Sequence, residues 1–154
     1  MDVDRNGLEM LDRAECLRLL AGATFGRVGV TSGALPVVLP VTFRLVGEDI
    51  VFSTAPGAKL ESATRHAVIA FEVDHFDLIS HSGWSVLATG VARPVIDETE
   101  EATLWRAGVP RWLSGGDARL VVLGTEWVSG RRLSPDRLGA DGHANGRAAP
   151  APLA

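Results

Sequence analysis

Apolar, β-branched runs punctuated by short turn signals make up most of this chain, and they predict strands rather than helices. The first departure is at Asp12-Arg13-Ala14-Glu15, which reads as a capping box, with Leu17, Leu19 and Leu20 forming an apolar stripe that stops at Ala21-Gly22. A short amphipathic helix is expected there. Arg27 to Thr31 and Leu35 to Leu45 follow as β-rich runs separated by Ser32-Gly33-Ala34, a hairpin signal. Pro36 and Pro40 stand inside the second run. Proline donates no ladder hydrogen bond, so this strand is an edge, is bulged, or turns part of its backbone toward something other than a neighbour. The turn Val46-Gly47-Glu48-Asp49 leads to a third strand at Ile50-Val51-Phe52. Ala67 to Asp74 and Trp84 to Val95 are two more, separated by a polar loop from His75 to Gly83, and Gly90 marks a bulge or bend in the longer of them. Asp97 caps a helix through about Ala107, with Glu98, Glu100 and Glu101 near its positive end. Arg119 to Leu123 and Glu126 to Leu133 are short strands around Gly124-Thr125. From Ser134 the apolar pattern stops and Pro, Gly and Ala rise, so residues 134–154 are expected to be a disordered tail. Six or seven strands joined mostly by short turns, with helices at the periphery, predict a β-barrel.

One junction in this pattern carries candidate chemistry. Ile50-Val51-Phe52-Ser53-Thr54 is a strand that Pro56-Gly57 breaks, and a helix from Ala58 to His66 begins with Lys59 in its first turn. Backbone N–H groups at such a junction, two hydroxyls and an ammonium suit a phosphate. The plainer alternative is an N-cap with a solvated lysine. Among 15 basic residues Lys59 is the only lysine.

Composition narrows the partners. A chain of 154 residues is expected to form one domain, and its net charge of −4 excludes a nucleic-acid or membrane-surface role driven by bulk electrostatics. A lone Cys16 leaves neither an internal disulfide nor a cysteine metal cluster, and Met1 to Arg13 lacks the pattern of a secretion signal, so a cytoplasmic protein is expected. His66, His75, His81 and His143 lack the spacing of a metal site, although His75 and His81 share the loop and could gate a substrate. Glu72 and Asp74 lie two apart on a strand and point the same way, toward solvent or an arginine such as Arg93. Trp84, Trp105, Trp112 and Trp127 are either core residues or apolar surface for a second copy.

Taken in order, Phe25-Gly26-Arg27-Val28-Gly29-Val30, Leu39-Pro40-Val41-Thr42-Phe43, Ile50 to Thr54, Gly57-Ala58-Lys59-Leu60, Ala70 to Asp74, Gly83-Trp84-Ser85-Val86 and Gly90-Val91-Ala92 resemble the pyridoxamine 5′-phosphate oxidase-like family of FMN-binding split barrels. The similarity spans residues 8–133 and is greatest to the branch holding nitroimidazole-resistance reductases and actinobacterial flavoproteins. It implies a mainly β fold: a six- to seven-stranded antiparallel split β-barrel with a few peripheral helices. It also implies a homodimer with FMN at the subunit interface. Carried over by position, Leu39 and Pro40, Val41, Thr42 and Phe43 would line the isoalloxazine through their backbone, and Ser53, Thr54 and Lys59 would hold the phosphate. Trp84 and Ser85 would add a polar contact, Ser85 standing where the oxidases carry a longer amide, and Trp112 would reach over from the partner subunit. The oxidases read their substrate's phosphate with a motif resembling Arg-x-His. Here Arg131-Arg132-Leu133 is followed by Ser134 and Pro135, so vitamin B6 oxidation is not implied.

The resemblance thus leads to an FMN-dependent oxidoreductase acting on a small planar acceptor such as a quinone or nitro compound, the cofactor supplying the redox chemistry. Three alternatives stand beside it. The same fold could bind the deazaflavin F420, for which Arg27, Arg44 and Arg65 would have to make a basic groove. It could store or sense flavin or haem without turnover, or it could be a cofactor-free barrel.

Overall fold

The computed structural model describes residues 3–5, 7–111 and 117–134, leaving aside the side chains of Lys59, Ser62 and Ala63. Among these lie eight strands and three helices: β1 (Glu9–Leu11), α1 (Arg13–Gly22), β2 (Phe25–Ser32), β3 (Leu35–Val46), β4 (Asp49–Thr54), α2 (Lys59–Thr64), β5 (Val68–Asp77), β6 (Ser82–Pro94), α3 (Glu98–Arg106), β7 (Arg119–Leu123) and β8 (Trp127–Leu133). The expected tail from 135 onward lies outside the described residues, as does Trp112.

Strands β2 to β7 close an antiparallel barrel of six in the order β2-β3-β4-β7-β6-β5, and β8 with β1 extends from β6 outside the closure. β6 makes this possible by changing partners. Residues Gly83 to Thr89 pair with β8, whereas Ala92 to Pro94 pair with β7. Gly90 sits at the change, where a Cβ would stand 3.2 Å from Leu123 Cδ1. Of the bulge or bend expected at Gly90, no bulge interrupts the pairing with β5, whose register runs unbroken from Val68↔Val91 to Asp77↔Ser82. β7 and β8 pair with successive parts of β6 and not with each other. The loop expected from His75 is also shorter, since β5 continues to Asp77 and His75 pairs with Trp84.

The interior follows the two-residue period. Val28, Val41, Phe43, Ile50, Phe52, Ile69, Phe71, Val86 and Leu123 point inward and are all but solvent-free, with α1 adding Cys16, Leu19 and Leu20. Phe71 meets Phe43 edge-to-face at 4.8 Å between centroids and lies 6.4 Å from Phe52. It also fills the space beside Gly26, where a Cβ would come within 2.6 Å of its ring. A second, smaller cluster lies outside the wall, where Leu104 of α3 and Val109 cover Val51, Leu120 and Val122.

Ion pairs tie the two ends of the chain together. Asp12 caps α1 by accepting from the Glu15 N–H, as its sequence predicts, and the Glu15 carboxylate accepts from both Arg18 and Arg132. Those two guanidinium groups hold the Glu15 carboxyl at about 2, down from 4.5. A carboxyl depressed on folding stabilises the native state above its unfolded value and loses that contribution as pH falls toward the folded one. Glu15→Gln should therefore melt below the parent at pH 7, with the gap narrowing from about pH 4.5 and vanishing near pH 2. Thermal melts across that range would refute the linkage if the gap were constant.

Candidate functional site

The site is best built from β3, because half of one of its edges is uncovered. β3 pairs with β2 along its length from Leu35 to Thr42, but with β4 only from Phe43 to Val46. The Phe43 N–H donates to the Thr24 carbonyl on the β2 side. Alternation along an antiparallel strand then turns Pro36, Val38, Pro40 and Thr42 to the other side, where no described strand pairs. Neither proline removes a ladder bond, since each nitrogen faces this open edge. The edge reading of the two prolines holds, and it leaves the carbonyls of Pro36, Val38 and Pro40 directed outward.

Side chains along this stretch divide by face. Val41 and Phe43 bury their side chains in the core and turn their backbone groups to β2, so the open edge draws on the residues between them, while Pro40 is exposed. Thr42 differs from all of them. Its Oγ1 is the one buried side-chain oxygen or nitrogen among the described residues with no hydrogen-bond partner. A buried hydroxyl left in that state costs about 1–3 kcal/mol, which a ligand's donor or acceptor would recover.

Next to Thr42 the wall continues into the end of β4. Ser53 and Thr54 are both buried, but as neighbours on a strand they face opposite sides. The Ser53 hydroxyl donates to the Pro110 carbonyl at 2.9 Å and anchors the segment after α3. Serving an anion as well would require it to exchange that partner. The turn that follows is capped by Ala58 without a side-chain bond, and α2 has six residues in place of the expected nine. Its dipole is correspondingly small. The Gly57 N–H, one of the donors an anion would use, is held by the Glu61 carboxylate, which also contacts Arg65 at 3.3 Å. Glu61 occupies the anion's place and must swing out to admit one. Lys59 opens α2 at this point.

Trp84 and Ser85 are not brought to this junction. They lie near the start of β6, whereas Pro94 at its end neighbours the β4–α2 region through β7. Nine residues of strand span up to about 30 Å. Trp84 instead stands 6.4 Å from the His75 ring, in a shallow cleft that Arg131 also lines. The two C-terminal arginines are engaged: Arg131 pairs with Asp4 at 2.9 Å, and Arg132 with Glu9 and Glu15. Glu72 and Asp74 do share a face, but their partner is Arg27, at 3.2 and 2.9 Å, because β2 lies beside β5; Arg93 pairs with Glu100. Arg27 is engaged by those carboxylates and Arg65 contacts Glu61, so of the three arginines expected to make a basic groove these two already have anionic partners.

Sequence reasoning passed over one feature. A groove of about 740 Å³ opens where β6 leaves β8, lined by Asp49, Gly90, Val91, Arg93 and Trp127. Burial holds the Asp49 carboxyl above its ordinary range. Trp127, one of the four tryptophans that the sequence left as core or surface, is 77% exposed here. Of the other described tryptophans, Trp105 packs on the outer cluster under Arg111 and donates to Glu101, and Trp84 is half-buried.

Comparison with known proteins places this geometry. The uncharacterised protein Rv0080 of Mycobacterium tuberculosis is 36% identical over 131 residues, covering 82% of this chain and 86% of its own. A FAD-binding protein from Mycobacterium smegmatis superposes with a TM-score of 0.70 at 32% identity, over 81% of this chain and 97% of that one. A conserved protein of unknown function from Corynebacterium diphtheriae gives a TM-score of 0.68 at 30% identity, over 80% and 96%. The sequence profile described as pyridoxamine 5′-phosphate oxidase matches residues 12–132, and with these relatives it shows that the chain belongs to that family of split barrels.

Proposed function

We propose that this protein is a flavin-dependent oxidoreductase whose FMN moiety lies along the open edge of β3, with a small planar acceptor such as a quinone or nitro compound as substrate. The observation that carries this reading is the partnerless Thr42 Oγ1 beside that edge. Outward carbonyls from Pro36 to Pro40 suit the hydrogen-bonding rim of an isoalloxazine, and Pro40 gives it an apolar surface. Thr54 and Lys59 hold the phosphate once Glu61 has moved aside, with Ser53 staying on the opposite face against the Pro110 carbonyl. A bound flavin supplies hydride and electron transfer, so the protein needs no acid–base dyad of its own. Pyridoxamine 5′-phosphate is not the proposed substrate, because Arg131 and Arg132 are committed to carboxylates and neither has a histidine two positions after it.

Two copies are proposed to share each site. Trp84 and Ser85, too far along β6 to reach the Lys59 junction in their own chain, would contact the flavin held by the partner. Val68, Val91 and Trp127, at 67, 59 and 77% exposure, are apolar side chains around the groove on the outer wall, which suits such an interface.

Thr42→Val tests the carrying observation. It removes an unsatisfied hydroxyl without changing volume, so the flavin-free protein should gain about 1 kcal/mol or more, while flavin affinity falls severalfold. A variant that binds flavin as tightly as the parent would place the cofactor elsewhere. Purified protein without a flavin spectrum, and unable to take up FMN or FAD, would end the reading altogether.

A further inference from the structure

The groove where β6 leaves β8 stands apart from the open edge of β3, and its lining has a chemistry of its own. We propose that it is a binding site for a small organic cation, a primary aliphatic amine whose ammonium lies between Asp49 and Glu126 and whose chain lies along Trp127. The groove encloses about 740 Å³, within the roughly 300–1,000 Å³ of small-molecule sites. It opens at the start of β4, at the other end of that strand from Ser53 and Thr54, so it is separate from the phosphate junction.

Its shape follows from the register. Ile50 and Ala92 both pair with Leu123, so the next residues along, Asp49 of β4 and Val91 of β6, flank Gly124. Gly124 has no side chain, and the Glu126 carboxylate lies over it: a Cβ there would stand 2.8 Å from Glu126 Oε1. Thr89 pairs with Trp127, and Val91, two residues on, points out on the same face and pairs with Val68. Two carboxylates, an indole and two valines are thereby brought to one trough.

Charge decides what fits it. Neither Asp49 nor Glu126 forms an ion pair among the described residues. Burial holds the Asp49 carboxyl above its ordinary range, Arg93 draws it back, and repulsion from Glu126 adds to the rise. Arg93, the cation of the lining, is held by Glu100 at 2.6 Å. An added cation therefore relieves two like charges, whereas an anion would add a third. An ammonium fits better than a metal ion, because no group of three or more His, Cys, Asp or Glu placed to hold a metal occurs among the described residues. Trp127, by contrast, offers a π face to the ammonium and apolar surface to its chain.

The test is calorimetric titration with hexylamine, and with hexanol as the uncharged analogue. The parent should bind hexylamine at least tenfold more tightly than hexanol. Asp49→Asn and Glu126→Gln should each weaken hexylamine at least fivefold, and Trp127→Ala at least threefold. Glu98→Gln removes an exposed carboxylate outside the groove and should leave hexylamine within twofold, which separates a site from attraction by net charge. All four positions are exposed, so the variants should melt with the parent. A smaller margin over hexanol, a smaller loss in any of the three groove variants, or a larger one in Glu98→Gln overturns the proposal. So does a parent that binds no hexylamine, the result expected if a second copy fills the groove. None of these outcomes bears on the flavin reading.

Discussion

Replacing Phe71 with alanine is expected to destabilise the protein by about 3–5 kcal/mol, the usual cost of emptying a fully packed aromatic position. That is a large part of the roughly 5–15 kcal/mol that holds a domain folded. Phe71 is solvent-free, and it reaches from β5 across the interior to Phe43 on β3 and Phe52 on β4. It is therefore a contact between opposite walls and not between neighbours. The void cannot close by a small shift, because Gly26 on the adjoining strand has no side chain to fall into it. The melting temperature should drop by roughly 6–20 °C, and Phe71→Leu, which keeps most of the volume, should lose clearly less. Urea denaturation showing under 1 kcal/mol for the alanine variant would mean that the ring is not the bridge described.

Lys59→Ala is expected to weaken flavin binding at least tenfold, since one charge-assisted contact to a phosphate is worth about 1.5–3 kcal/mol. Its effect on folding should be small. The same variant tests the sharing of sites between copies. In a dimer built from one Lys59→Ala chain and one Trp84→Ala chain, one site carries both lesions and the other carries none. Co-expression yields mixed dimers as about half of all dimers, each with one intact site, and should then restore about a quarter of the parental flavin content, although each variant alone binds poorly. If mixing restores nothing, Lys59 and Trp84 serve the same site from the same chain, or only one of them serves it. Lys59→Ala binding as tightly as the parent would remove the phosphate assignment.

Much of this architecture is legible in the residues, because it rests on local rules. Asp12 with Glu15 announces α1, the β-branched runs announce β2 to β8, and the two prolines of β3 announce an edge. Closure is not local. Nothing in Ser82–Pro94 says that the strand exchanges β8 for β7 at Gly90, and that exchange depends on where Leu123 packs. β1 is equally hidden, since Glu-Met-Leu has no strand character until Arg132 and Gly130 lie beside it. At the candidate site, composition points to Ser53, Thr54 and Lys59 but cannot show that Pro110 already uses Ser53, or that Glu61 takes the Gly57 N–H. The orphan hydroxyl of Thr42 is likewise invisible in the sequence, because it is defined by what its neighbours fail to supply.

The pairing of β1 with β8 has a consequence for how the chain is made. Residue 9 leaves the ribosome long before its partner at 132 exists, and the barrel itself cannot close until β7 has emerged. Synthesis at about 5–20 residues per second leaves several seconds in which β6 shows an unpaired edge on the β8 side. During that interval Val68, Val91 and Leu87 are exposed beside an open strand, which is the arrangement that favours pairing with another nascent chain. Neighbouring ribosomes on one message would thus hold copies in position to meet, and under the proposed sharing of sites between two copies, the hazard of premature association and the route to assembly use the same surface.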